Sequence, residues 1–97
     1  MTWEERIGTV THYYPKAHAA AVELDRGTLH VGDTIHILGP GVDRRERVTS
    51  LQIDHTPVDE ASAGENVGIL VRDFVPRRAE VFLVRERAGF WRRLFGR

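Results

Sequence analysis

The side chains able to do chemistry are few and scattered. Five histidines, His12, His18, His30, His36 and His55, are spread along the chain, and no cysteine accompanies them. His12 and His18 flank a turn and come within reach across a hairpin. No pair has the His-x-His or His-x-x-x-His spacing that aims two imidazoles at one ion, and no thiolate helps. A metal site and a cofactor are therefore not expected. The two serines, Ser50 and Ser62, lie outside any Gly-x-Ser-x-Gly elbow. Asp54-His55 beside a hydroxyl is a chance pairing, and Asp59-Glu60 reads as a solvated loop rather than an acid–base pair. There is no Gly-x-x-x-x-Gly-Lys-Ser/Thr loop to cradle nucleotide phosphates. Catalytic residues are expected to be absent.

Arginine is the remaining chemistry. The basic set is thirteen arginines and one lysine, matched by fourteen acidic side chains for a net charge of zero. The balance is uneven along the chain. Residues 1–71 hold six basic side chains against eleven acidic ones, a net of −5, and residues 72–97 hold eight arginines against three acids, a net of +5. Arg44, Arg45 and Arg47 read as one basic loop, and Arg77 and Arg78 as another. Arg92 and Arg93 lie in a C-terminal tail with Phe90 and Trp91 among them. Arginines interleaved with aromatics suit phosphate neutralisation and base stacking.

These residues need a scaffold. At 97 residues, the chain has room for one small domain. Short runs of valine, isoleucine and threonine separated by turn residues predict an all-β domain. Six strands are expected, at about Arg6–Tyr13, Ala17–Leu24, Thr34–Leu38, Val48–Ile53, Asn66–Val71 and Glu80–Arg85. In the second, His18, Ala20, Val22 and Leu24 share one face; in the third, Ile35 and Ile37 point inward and His36 outward. Six strands leave two open edges unless the sheet closes, so a small closed barrel is preferred. Gly27, Gly32 and Gly64 mark turns needing positive φ, and Gly68 inside a strand predicts a bulge or a close backbone approach. Residues 1–87 are expected to form the domain and 88–97 a short helical or extended tail. Phe90, Trp91, Leu94 and Phe95 would share one helical face. Three destinations fit the tail: the barrel itself, with Trp91 near Trp3; a protein partner or the ribosome; or an anionic membrane surface.

Two separated motifs carry a family resemblance. The stretch Arg26-Gly27-Thr28-Leu29-His30-Val31-Gly32-Asp33-Thr34-Ile35 resembles a segment of the second domain of translational GTPases such as elongation factor Tu. Ala63-Gly64-Glu65-Asn66-Val67-Gly68-Ile69-Leu70 is similar to a second segment of that domain. Residues 7–16 and 52–61 look like the stand-alone translation elongation factor-like proteins, and the same module ends some collagenase-like peptidases. The resemblance implies a six-stranded closed antiparallel Greek-key barrel. It also implies a pocket for the aminoacyl end near Leu24, Leu29, Gln52 and Leu70, with Gln52 standing where the family has a glutamate.

The expected function is a non-catalytic binding module that docks on RNA, the ribosome or a translation-linked protein. The alternative is a protein-interaction accessory that works with a peptidase-like partner without RNA. The absence of cysteine and of a signal-peptide pattern at residues 1–6 makes a cytoplasmic location the default. Oligomeric state is not legible.

Overall fold

The computed structural model describes residues 2–86 of the chain, and all regular structure among them is β. Ten strands occur: β1 Thr2–Tyr14, β2 Ala19–Leu24, β3 Thr28–His30, β4 Thr34–Gly39, β5 Val42–Arg47, β6 Leu51–Ile53, β7 Thr56–Val58, β8 Glu60–Ser62, β9 Asn66–Leu70 and β10 Glu80–Glu86. Eight form one antiparallel sheet in the order β5-β4-β10-β1-β2-β9-β6-β7, and β3 pairs with β8 separately. The all-β expectation is met. The count of six and the closed ladder are not: strand pairing leaves β5 and β7 as edges. β3, β7 and β8 are three residues each, too short to carry a period-2 pattern. β5 is made of residues expected to be a charged loop.

Alternation decides the inside. Ala20, Val22 and Leu24 of β2, Ile35 and Ile37 of β4, Val67 and Ile69 of β9, and Val81 and Leu83 of β10 all point into one core. Leu29 of β3 and Leu51 of β6 complete it. Burying each of these valine, leucine and isoleucine side chains stabilises the fold by about 1.5–3 kcal/mol. Gly27, Gly32 and Gly64 have φ of 72°, 99° and 96°, as their turns require.

β1 is the long central strand, paired to β10 on one side and β2 on the other. Its register slips between Arg6 and Gly8, and again between Val10 and His12. The close backbone approach falls at Gly8, where a Cβ would sit 2.5 Å from the Glu23 carbonyl oxygen. Gly68, where the sequence predicts a bulge or such an approach, pairs regularly with Ala21 and Gln52, and a Cβ there would meet nothing nearer than 3.8 Å. The two glycines therefore differ in what they allow. Gly8→Ala is expected to lose about 2 kcal/mol through overpacking, which for a domain this size lowers the melting temperature by roughly 8–16 °C. Gly68→Ala is expected to stay within about 0.5 kcal/mol of the parent. Calorimetric melts of both variants check the contrast.

Candidate functional site

The outward face of β1-β2-β9-β6 is built from small residues. His12, Ala21, Gly68 and Gln52 are consecutive partners across the four strands, with Pro57 of β7 next in line. The neighbouring row is Tyr14, Ala19 and Leu70. Ala19, Ala21 and Gly68 floor a groove of about 530 Å³, and Tyr14, Lys16, Gln52, His55 and Asn66 stand around it. The His12 ring meets Tyr14 edge-on at 4.3 Å, beside the exposed Tyr14 ring. At the far wall, Asp54 and His55 form the β6–β7 turn with φ of 50° and 65°. A small-residue floor lets a flat group approach the backbone, while the walls offer amide, imidazole, phenol and ammonium groups and the Asp54 carboxylate.

The four residues picked out by resemblance do not converge. Leu24 and Leu29 are fully buried core residues. Gln52 is exposed at the groove. Leu70 is 45% exposed and borders a second cleft, of about 370 Å³, with Arg45, Arg47, Thr49 and Arg72. His12 and His18 gather no further ligand: among the described residues no three His, Cys, Asp or Glu side chains are grouped to hold a metal.

The arginines are sorted by the sheet. Alternation along β5 puts Arg44 and Glu46 opposite Ile37 and Ile35, and Asp43, Arg45 and Arg47 on the outer side. Glu46 is 8% exposed. Its carboxylate accepts Arg44 Nε–H at 2.9 Å and the Arg72 backbone N–H at 3.1 Å. Arg44 also donates to the Asp73 carbonyl at 2.9 Å and the Phe74 carbonyl at 3.5 Å. Arg45 donates to Glu4. Arg47, Arg77 and Arg78 are exposed and, among the described residues, form no ion pair. Phe90, Trp91, Arg92 and Arg93, with the rest of the tail, lie outside the described residues.

His36 faces outward but is well covered, its side chain only 12% exposed. It contacts Phe82 of β10 and lies between two carboxylates: Nδ1 is 2.8 Å from Glu4 Oε1 and Nε2 is 2.6 Å from Asp43 Oδ1. Both nitrogens donate only in the imidazolium form. The hydrogen bond to Glu4, then that to Asp43, raises the His36 pKa, against smaller opposition from burial and from Arg45. The same His36 bond is the main cause holding the Glu4 carboxyl below its usual value. Composition gave no signal for this bridge, because its members lie on three different strands.

This arrangement is a β module with a groove and a basic side. The chain belongs to the elongation factor Tu domain 2 family, whose model matches residues 20–75. It is 38% identical over 81 residues to an uncharacterized protease of Methanocaldococcus jannaschii. That match covers 82% of this chain and 20% of the relative, so the chain spans about a fifth of that protein's length. Its fold matches the C-terminal domain of a U32 peptidase from Geobacillus thermoleovorans, with a TM-score of 0.74 and 20% identity, covering 81% of this chain and 91% of that one. The selenomethionine form of the same domain gives a TM-score of 0.72 and 20% identity over 84% and 99% of the two chains. The resemblances to elongation factor Tu domain 2 and to the module that ends some peptidases therefore hold. Among the described residues no helix is long and apolar enough to cross a membrane.

The His36 bridge sets a pH dependence. Its pKa is raised on folding, so its contribution is full below the unfolded value near 6.5 and is lost as pH rises through the folded value. Glu4 is lowered, so its contribution is present above 4.5 and lost as pH falls through the folded value. Thermal melts from acid to mildly alkaline pH are expected to show stability falling above about pH 6.5. His36→Gln is expected to flatten that alkaline decline.

Proposed function

We propose that this chain is a non-catalytic binding module that docks on RNA through the β1-β2-β9-β6 groove. The observation that carries the reading is the groove itself: a floor of Ala19, Ala21 and Gly68 with Gln52, Asn66 and Tyr14 around it. A base or ribose can lie on such a floor while amides read its polar edge and a phenol stacks on its face. Lys16 at the rim supplies a cation for phosphate. Membership of a translation-factor domain family supports the choice of RNA.

We also read the domain as a barrel, with the 71–79 connection and the β3–β8 pair filling the gap between edges β5 and β7. Residues 88–97 are taken as a separate tail, and the cytoplasm as the working compartment.

A second reading is supported by the relatives. A protease and a peptidase domain are similar to this chain, which favours an accessory that works beside a peptidase-like protein. Recovery of one protein partner after RNase treatment would favour that reading.

The test of the first is sedimentation of cell extract at low and moderate salt, combined with direct titration of single-stranded RNA. The protein is expected to travel with ribosomes or RNA at low salt and to be released as salt rises. Ala21→Leu fills the groove from its floor and is expected to weaken RNA binding about tenfold, the scale of one lost base contact, with melting unchanged. No salt-dependent association would sink the RNA reading.

A further inference from the structure

The two basic segments that look separate in sequence are neighbours in the fold. The 71–79 connection runs beside β5. Arg72 bonds at Glu46 and at the Arg45 carbonyl, Asp73 and Phe74 are held by Arg44, and Ala79 packs at Gly39, next to Val42. Together the two segments carry six arginines, Arg44, Arg45, Arg47, Arg72, Arg77 and Arg78, against three carboxylates. All three carboxylates are engaged. Asp43 bonds His36, Glu46 is buried under Arg44 and Arg72, and Asp73 accepts the Phe74 backbone N–H at 2.7 Å. Asp43 and Asp73 stay exposed, Asp43 at 74%, but Arg45, Arg47, Arg72, Arg77 and Arg78 are exposed too, so the strip keeps a net positive charge toward solvent.

An aromatic ring stands in the middle of this strip. Phe74 is 59% exposed, the most exposed of the large apolar residues described. It is not loose. Its carbonyl accepts from Arg44, its N–H is capped by Asp73, and its ring meets Tyr13 edge-on at 5.3 Å. A ring fixed at its backbone and one edge keeps its other surface for a ligand, with little ordering left to do on binding.

We propose that β5 and the 71–79 connection form a track for single-stranded RNA, with Phe74 stacking on a base and Arg47, Arg72 and Arg77 neutralising phosphates. The partner follows from chemistry. A folded acidic protein would satisfy the arginines but has no need of a lone rigid ring among them. A duplex hides its base faces, whereas a single strand offers phosphates and flat bases in alternation. A cleft of about 370 Å³ lies between Arg47, Thr49, Leu70 and Arg72, two residues along the chain from Phe74. The inference rests on the RNA reading above but places the contact beside the groove rather than in it, with Leu70 between the two.

The test is titration of a labelled single-stranded oligouridylate over a range of salt, with thermal melts confirming that every variant folds. Phe74→Ala is expected to weaken binding about tenfold, Phe74→Trp to keep it, and Phe74→Leu to behave as Phe74→Ala. The double variant Arg47→Gln, Arg77→Gln removes two phosphate contacts and is expected to reduce the slope of log K against log salt by about 1.4. If Ala21→Leu weakens binding while the Phe74 and arginine variants do not, the track is wrong and the groove stands. If the parent protein does not bind at low salt, both fall. If duplex RNA or polyglutamate competes as well as the single strand, and Phe74→Ala is indifferent, the strip is a general anion surface and the proposal is overturned.

Discussion

A twisted sheet must end, and the way this one ends at β5 organises the whole basic side. Edge strands present unpaired backbone groups. Here the edge is covered by a stretch of chain that has no strand of its own, and Glu46 fastens it. The carboxylate is removed from water, which is costly. It recovers that cost through one guanidinium and one backbone amide, both within 3.1 Å. Because Glu46 turns inward, Arg44 turns with it and binds the covering chain by two carbonyls. Arg45 and Arg47 are then left outside by the period of the strand. One buried carboxylate thus fixes Arg44 against the covering chain, while Arg45 turns to Glu4 and Arg47 faces solvent.

The outer surface over β2 and β9 follows a different rule. There Ala19, Ala21 and Gly68 leave the middle low, so the surface is set by backbone and by what rises at the margins. The groove has almost no fixed charge on its floor, while the β5 side is dominated by it. A ligand meeting the first would be sorted by shape and amide contacts. A ligand meeting the second would be drawn by long-range attraction and held by salt-sensitive contacts.

Much of the core was legible in sequence. Ile35 and Ile37, Val67 and Ile69, and Ala20, Val22 and Leu24 announce their faces by alternation, and all are buried. The same alternation contains a warning about the site. It already assigns Leu24 to the core, in tension with the pocket role that resemblance gives it, and the structure buries Leu24 fully. β5 was hidden because its inward positions after Val42 are Arg44 and Glu46, so its pattern is one of charge partners rather than of apolar residues. The His36 bridge was hidden because its residues, Glu4, His36 and Asp43, become adjacent only through register across β1, β10, β4 and β5. Phe74 was passed over because a lone aromatic in a loop carries no periodicity.

The long central strand and the last strand also share an ending. Thr2 of β1 lies opposite Glu86 of β10, so the described chain enters and leaves the domain at one corner. A longer polypeptide holding this unit, in mid-chain or at a terminus, would grip it at that single corner. The unit would then hang like a pendant on its host, with the groove turned to the surroundings and Arg45, which shares a cleft with Thr2 and Val84, beside the tether.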